Sequence, residues 1–180
     1  MKKVKLGILG IGNMGSGHLE NILCGRCPEI EVTAVCDTNP ARLEFALSRL
    51  AAKRAEHPDA GYPDIATFAD GDEMFNSGLV DAVIIAIPHY GHPDYAIKAM
   101  KAGLHVMCEK PAGVYTLQVR EMMAEADQHP DLKFGMMFNQ RTNHIYRKVK
   151  EIMDSGELGA LKRTSWIITN WYRPQCYYDS

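Results

Sequence analysis

Apolar residues recur along the chain in short runs and in segments with a helical repeat, separated by polar turns rich in glycine and proline. Short apolar runs predict strands, and apolar residues spaced three or four apart predict helices. The predicted strands are residues 4–9, 31–37, 65–68, 80–87, 105–108 and 132–138. The predicted helices are residues 14–24, 41–54, 72–77, 93–102, 116–127 and 144–154. This alternation of strands and helices indicates an α/β fold with a parallel sheet.

The run 80–87 is almost entirely apolar and stops at Pro88, which predicts a central parallel strand covered on both faces. The helix at 41–54 carries an apolar face suited to covering such a sheet. We therefore expect a Rossmann-type doubly wound domain over residues 1–138. Residues 139–180 are expected to begin a second α/β domain with an open sheet, which this chain leaves incomplete.

Local sequence signals refine these elements. Asn39 predicts the cap of the second helix, and Thr116 is expected to cap the helix that it begins. Leu161–Tyr172, rich in Thr, Ile and Trp, predicts the first strand of the second sheet. The helix at 144–154 has a predicted core face made of Ile145, Val149, Ile152 and Met153.

The first predicted strand runs directly into Gly10-x-Gly12-x-x-Gly15. Gly10 permits a sharp exit from the strand, Gly12 lets the backbone approach a pyrophosphate, and Gly15 lets the next helix pack against the strand. The N-terminus of that helix is expected to direct its N–H groups at the phosphates. The predicted dinucleotide-binding turn comprises Gly10, Ile11, Gly12, Asn13, Met14 and Gly15.

The second predicted strand ends at Asp37, about 20 residues beyond Gly15, where a carboxylate meets the adenosine ribose of a dinucleotide. The alternative is a helix-capping role for Asp37. Asn39 as the cap and Pro40 as the first helical residue already start that helix, so Asp37 is free to bind the ribose. Thr38 follows Asp37 with no arginine beside it, so NAD is favoured over NADP.

The central strand opens into a loop at its carboxyl end, where ligands bind in open α/β sheets. Candidate cofactor contacts in and beside this loop are Ala86, Ile87, Pro88, His89 and His92. His89-x-x-His92 also has the spacing of a metal-binding pair, but the sequence places no third ligand nearby, and no metal is predicted. A further alternative is that His92 only starts the next helix.

The fifth predicted strand delivers Glu109-Lys110-Pro111 to the same carboxyl edge. A charged pair directly after a buried strand is costly to place unless it meets a polar partner. The cofactor pocket is the available partner, and a solvated salt bridge on a loop is the alternative.

Composition narrows the function classes. Of 180 residues, 20 are Lys or Arg and 22 are Asp or Glu, so a net charge of −2 gives no electrostatic case for binding nucleic acid or an anionic membrane. The apolar runs are too short to span a membrane. Five cysteines favour reduced thiols in a cytoplasmic protein. Cys24-x-x-Cys27 matches a redox spacing, but it lies away from the expected site.

Together these motifs resemble the glucose-fructose oxidoreductase, inositol dehydrogenase and MocA family of NAD(P)-dependent oxidoreductases. The matching segments are Gly10-x-Gly12-x-x-Gly15, Ala86-Ile87-Pro88-x-x-x-His92, Ala102-Gly103-x-His105-Val106-x-x-Glu109-Lys110-Pro111 and Asn139-x-Arg141. The resemblance implies that Lys110 is catalytic and lies by the nicotinamide and the substrate hydroxyl. It also implies that Glu109 lies by the nicotinamide ribose and that the Lys110–Pro111 peptide bond is cis.

Four residues near the end of the chain are further candidates. Asn139 follows the last strand and is expected on the nicotinamide side, with Arg141 towards substrate; a simple turn is the alternative. Trp171 and Arg173 are candidates for contacting substrate or cofactor, while core or subunit-contact roles are equally open. In the family a substrate domain with further acid–base residues follows, and we expect a homo-oligomer when the protein is complete.

The resulting expectation is hydride transfer between nicotinamide and a secondary alcohol of a sugar, inositol or related polyol. Two rivals stay open. One is an NAD-dependent glycoside-cleaving enzyme on the same scaffold, which shows no net change in cofactor. The other is a non-catalytic dinucleotide-binding module.

Overall fold

The computed structural model describes residues 2–169 and 172–175. The chain divides into two compact units, Met1–Phe138 and Asn139–Ser180. The first unit contains every strand of the described chain, and the second contains one helix longer than a single turn.

The first unit is built on a six-stranded sheet in which every pairing is parallel. The strands are β1 (Val4–Leu9), β2 (Ile30–Cys36), β3 (Ala66–Phe68), β4 (Ala82–Ile85), β5 (His105–Cys108) and β6 (Phe134–Met136). Their order across the sheet is β3-β2-β1-β4-β5-β6. This is the doubly wound Rossmann arrangement, and the predicted fold class is confirmed.

Five helices connect these strands. They are α1 (Asn13–Leu23), α2 (Pro40–Glu56), α3 (Gly71–Phe75), α4 (His92–Lys101) and α5 (Thr116–Gln128). The predicted ends of these strands and helices lie within about two residues of the observed ones, as expected for elements read from apolar periodicity.

Two predicted helix caps have opposite outcomes. Asn39 caps α2 as expected, since its side-chain oxygen accepts the backbone N–H of Ala41 at 3.0 Å. The cap predicted at Thr116 is wrong. Tyr115 has the extended backbone that the N-cap position requires, so Thr116 is already the first helical residue.

The core lies on both faces of the sheet. Residues of α1 and α2 pack with Ile8 and Val35 on one face, and residues of α3, α4 and α5 pack with Val83 and Ile85 on the other. Neighbouring residues of β4 contribute to opposite faces, with Ile84 on the α1 side, so its buried run is that of a central strand, as predicted. Each fully buried aliphatic side chain contributes roughly 1.5–3 kcal/mol.

The second unit contains α6 (His144–Asp154), capped by Asn143, whose side-chain oxygen accepts the Ile145 N–H at 2.9 Å. The helix has the predicted bounds, but of the four residues predicted for its core face only Ile152 is partly buried, and the other three are exposed. Ile145, Val149 and Met153 are 57%, 48% and 42% exposed. An amphipathic face is buried only when another element packs on it, and the described part of this unit supplies no such element over these three side chains.

The strand predicted at 161–172 is also wrong where the structure describes it. Residues 161–169 form no strand and are exposed throughout, and Trp166 and Ile167 are 69% and 83% exposed. Residues favourable to β structure form a strand only beside a partner strand, and the described residues of this unit contain no strand. Trp171 lies outside the described residues.

Two glycines of α1 provide a matched test of how the helix packs. A Cβ on Gly15 would overlap the carbonyl oxygen of Gly10, whereas a Cβ on Gly17 would meet nothing within 4 Å. We expect Gly15→Ala to lower the free energy of unfolding by about 1–3 kcal/mol or more, because it overpacks a rigid backbone contact. Gly17→Ala should raise it by about 0.4–1 kcal/mol. Urea unfolding followed by circular dichroism measures both, and equal effects would contradict the packing.

Candidate active site

The three glycines of the turn between β1 and α1 have different surroundings. Gly10 has a φ of +91°, and a Cβ there would approach the Ala86 carbonyl oxygen to 2.5 Å. Gly15 is required by the backbone contact described above. A Cβ on Gly12 would meet nothing within 4 Å. Packing therefore explains Gly10 and Gly15, whereas Gly12 leaves an open space that a side chain would fill.

That open space lies at the N-terminus of α1. Gly12 is the N-cap residue and has no side chain with which to satisfy the first helical N–H groups. Asn13 and Met14, in the first turn, are exposed. Uncapped N–H groups at the positive end of a helix dipole form a suitable site for an anion, and the space above Gly12 fits the pyrophosphate of a dinucleotide.

Asp37 lies directly after β2 and is bonded to the glycine turn. One carboxylate oxygen accepts the Ile11 N–H at 2.8 Å, and the other accepts the Asn39 N–H at 2.9 Å. The expectation that Asp37 is free is therefore wrong. Each carboxylate oxygen has a second lone pair, so both oxygens can still accept ribose hydroxyls. Asp37 does not cap α2, since Asn39 does so, and its bonds to these two N–H groups do not exclude a ribose-binding role.

A cleft of about 400 Å³ opens at the carboxyl edge of the sheet. It brings together six of the predicted site residues: Gly10, Gly12, Asp37, Ala86, Ile87 and Pro88. Ile11 does not line the cleft. Its side chain is fully buried, and its N–H donates to the Asp37 carboxylate.

The cleft is also lined by residues that sequence reasoning missed, among them Ala69, Gly71 and Tyr95. Ala69 directly follows β3 at the same edge, so the rule that ligands bind at carboxyl ends of strands could have found it. Gly71 makes room for the Tyr95 ring, because a Cβ there would lie 2.7 Å from a ring carbon. No sequence spacing indicated the Tyr95 contact.

Glu109 and Lys110 follow β5 and have opposite environments. Glu109 is 4% exposed, and Lys110 is exposed. One Glu109 oxygen lies 2.9 Å from Nε2 of His18, and the other accepts the Lys110 N–H at 3.2 Å. The alternative of a solvated Glu–Lys salt bridge does not describe this buried carboxylate. The Lys110–Pro111 peptide bond is cis, as the resemblance implies.

His18 is a further residue that the sequence analysis missed. It lies in α1 one turn after Gly15, next to the buried Leu19, and its side chain is 17% exposed. A histidine on the apolar face of a helix that covers a sheet requires a polar partner, and this could have drawn attention to it. The partner, Glu109, is distant in sequence and could not have been named.

His89 and His92 do not form a metal-binding pair, because neither ring nitrogen of His92 is available to a metal ion. The His92 ring is fully buried, with Nδ1 2.6 Å from the Pro111 carbonyl oxygen and Nε2 2.9 Å from the Ile87 carbonyl oxygen. Both ring nitrogens are thus engaged by the backbone. His89 is exposed, and the two ring centres lie 5.6 Å apart. Within residues 2–169 and 172–175, no three His, Cys, Asp or Glu side chains are grouped to hold a metal ion.

Three of the remaining candidates lie in the second unit. Asn139 and Arg141 belong to a single 3₁₀ turn, and Arg173 lies in the short stretch 172–175; all three are exposed. Their contact with cofactor or substrate stays a prediction, as does that of Trp171, outside the described chain.

Two buried cysteines lie at the carboxyl ends of strands, Cys36 at the end of β2 and Cys108 at the end of β5, and Cys36 also lines the cleft. Burial raises the pKa of the Cys36 thiol to about 12, with a smaller contribution from the nearby Asp70 carboxylate. Burial likewise raises the pKa of Cys108 to about 12, and Glu109 adds to the effect. Cys24 is exposed, and Cys27 is partly exposed; both are free thiols.

The parallel sheet, the glycine turn and the cleft at the carboxyl edge define a dinucleotide-binding Rossmann domain. Residues 4–136 match the model of the Gfo/Idh/MocA oxidoreductase family, which is described as having an NAD-binding Rossmann fold. The chain belongs to this family. In the described part of the chain, no helix has both the length and the apolar character needed to cross a membrane.

Similar proteins include several inositol dehydrogenases. Inositol 2-dehydrogenase of Salmonella typhimurium is 32% identical over 87% of this chain. Scyllo-inositol dehydrogenase of Lactobacillus casei, solved with NAD(H) and scyllo-inositol, is 30% identical over 88% of the chain, with a TM-score of 0.76. The chain spans 43% of the length of each of these two proteins.

One further solved structure matches almost the whole chain. The WlbA dehydrogenase of Chromobacterium violaceum, in complex with NADH and UDP-GlcNAcA, covers 99% of this chain, at 26% identity and a TM-score of 0.78. The match spans 47% of the length of that protein.

The raised pKa values of the buried thiols predict selective protection from alkylation. The thiolate is the reactive form, so iodoacetamide at pH 8 should leave Cys36 and Cys108 unmodified in the folded chain and alkylate the exposed Cys24. Peptide mass spectrometry with and without urea measures this. Equal labelling of the three cysteines in the folded chain would contradict the assignment.

The same raised pKa values predict how stability depends on pH. As the pH rises above about 8.5, the thiols of the unfolded chain lose their protons before those of the folded chain, so the free energy of unfolding should fall.

Proposed function

We propose that the protein is an NAD-dependent oxidoreductase that transfers a hydride between nicotinamide and a secondary alcohol of an inositol, a related polyol or a sugar. The observation that carries the proposal is the open space above Gly12, which packing does not require. It lies at the carboxyl edge of the sheet that also presents Lys110. Membership of an NAD-binding oxidoreductase family supports the same function.

Cofactor binding is assigned to the glycine turn and Asp37. Gly12 admits the pyrophosphate to the backbone at the positive end of α1. Asp37 accepts the ribose hydroxyls with its remaining lone pairs and repels a 2′-phosphate by its charge. Thr38 supplies no positive charge that would offset this repulsion. These features support a preference for NAD over NADP.

Proton transfer is assigned to Lys110, the exposed charged residue that directly follows β5 and Glu109. Bound NAD supplies the hydride acceptor. Lys110 holds the proton of the substrate hydroxyl at its Nζ atom as the alcohol is oxidised, and returns it in the reverse direction. Arginine cannot replace it, because a guanidinium does not release its proton at the pH at which enzymes work.

Inositols are the first candidate substrates, since the two relatives described above at 30% identity or more are named for them. Nucleotide sugars are the second candidate. They are favoured by the similarity to the WlbA dehydrogenase, solved with UDP-GlcNAcA. That similarity extends over 99% of the chain, compared with 88% for the scyllo-inositol dehydrogenase.

Cofactor binding is tested by calorimetric titration of the chain with NAD and with NADP. Wild type should bind NAD at least tenfold more tightly, a difference of about 1.4 kcal/mol. Gly12→Val should weaken NAD binding by tenfold or more, because the branched side chain fills the space assigned to the pyrophosphate. It should leave the unfolding midpoint unchanged, since a Cβ there meets no atom. Gly17→Ala is the control, and unchanged NAD affinity in Gly12→Val would move the site elsewhere.

Catalysis is tested on the 180-residue chain and on a full-length version, because the chain spans 43% of the length of the Salmonella typhimurium inositol 2-dehydrogenase. NADH formation at 340 nm is followed with inositols, sugars and UDP-sugars as separate substrates. Lys110→Ala should lower kcat by about 10²–10⁴-fold with little change in NAD affinity, the range expected for losing a general acid–base group. Lys110→Arg should not restore it. Near-normal turnover in Lys110→Ala would assign the proton to another residue.

A further inference from the structure

Two histidines contact the residues on either side of Lys110. His18 approaches from α1, and its Nε2 lies 2.9 Å from a carboxylate oxygen of Glu109. His92 approaches from the start of α4, and its Nδ1 lies 2.6 Å from the carbonyl oxygen of Pro111. Neither contact is explained by cofactor binding or by the proton transfer assigned to Lys110.

We propose that His18 and His92 are positioning residues that fix the backbone of Lys110 from both sides. The inference rests on the proposed function, because the catalytic role proposed for Lys110 is the reason for holding its backbone in place. The anchoring itself is a property of the chain without cofactor, and it can be tested without any turnover.

The first anchor acts through Glu109. This carboxylate is 4% exposed, and its two oxygens have different partners: one meets the His18 ring, and the other accepts the Lys110 N–H at 3.2 Å. A buried carboxylate without a partner would be costly, so the histidine holds it in this orientation. The orientation in turn places an acceptor at the Lys110 amide.

The second anchor acts through Pro111. The fully buried His92 ring also lies 2.9 Å from the Ile87 carbonyl oxygen, so one ring joins the loop after β4 to the loop after β5. Both partners are carbonyl oxygens, which only accept, so a ring nitrogen that carries a hydrogen donates to the carbonyl oxygen beside it, and the short Nδ1 contact ties the ring to Pro111. The chain on the far side of Lys110 is therefore tied to the loop that borders the cleft.

The two anchors leave the side chain of Lys110 exposed while they restrict its backbone. A flexible four-carbon side chain reaches a defined point only if the bond from Cα to Cβ has a fixed direction. Misplacement of a reacting group by about 1 Å can cost roughly 10²-fold in rate. Anchoring both neighbours of the lysine meets this requirement without a contact to its amine.

The experiment measures hydrogen–deuterium exchange of the Lys110 amide in the 180-residue chain, resolved by fragmentation mass spectrometry. His18→Leu should raise its exchange rate at least tenfold, because Glu109 loses its buried partner. His18→Gln carries an amide nitrogen at the position of Nε2 and should restore exchange to within threefold of wild type. Amides of β2 and the unfolding midpoint report global stability, and they should change little in His18→Gln.

At position 92 two conservative variants separate the two ring contacts. His92→Asn carries a nitrogen at the position of Nδ1 and retains the Pro111 contact, whereas His92→Gln carries one at the position of Nε2 and retains only the Ile87 contact. Exchange at Lys110 should therefore be slower in His92→Asn than in His92→Gln, by threefold or more. This comparison holds even if His92→Leu does not fold.

Three results would overturn the proposal: Lys110 exchange within twofold of wild type in His18→Leu, equal exchange in the two variants at position 92, or a rise matched by the amides of β2. Titration of the wild-type chain with NAD is run separately. If the wild-type chain does not bind NAD but the variants show the expected exchange at Lys110, only the proposed function is rejected. If the chain binds NAD but the variants do not show that exchange, only the anchoring is rejected.

Discussion

The close approach of α1 to the turn that precedes it is the contact on which the rest of the site depends. Gly15 packs against the Gly10 carbonyl oxygen with no room for a Cβ. The helix therefore starts directly at the end of β1, with its uncapped N-terminus beside the cleft. The same placement carries His18, one turn further on, to Glu109. A helix displaced by the width of a methyl group would alter both features at once.

Acidic residues in this site hold backbone groups as well as offering charge. Asp37 accepts the Ile11 N–H and thereby ties the glycine turn to the end of β2. Glu109 accepts the Lys110 N–H and is buried against His18. Charged groups bonded to protein donors before any ligand arrives need little reorganisation when it does. Substitutions at either acid will therefore mix effects on ligand binding with effects on the loops.

The sequence was sufficient for the fold because the apolar periodicities of the first unit are local and consistent with one another. It also located the backbone of the site, since the carboxyl ends of parallel strands meet at one edge. The contributions of Tyr95 and His18 to the site were not predicted, because they depend on partners that only the folded sheet brings close. The α6 face and the strand at 161–172 failed for the complementary reason. Propensity states what a segment favours, and burial or pairing depends on a neighbour that the described unit does not contain.

The distance in sequence between His18 and Glu109, 91 residues, has a consequence for the order of folding. The glycine turn needs only β1, α1 and the end of β2, since the Gly10 N–H donates to the Cys36 carbonyl oxygen and the Ile11 N–H donates to Asp37. The contact at Glu109 requires β5 to have joined β4, and such long-range parallel pairing carries a larger entropy cost and proceeds slowly. A chain in which β5 has not yet joined β4 would thus present a phosphate-binding turn without an anchored lysine. A ligand that contacts only the turn does not distinguish that chain from the folded one, whereas a ligand that also engages Lys110 selects the completed sheet.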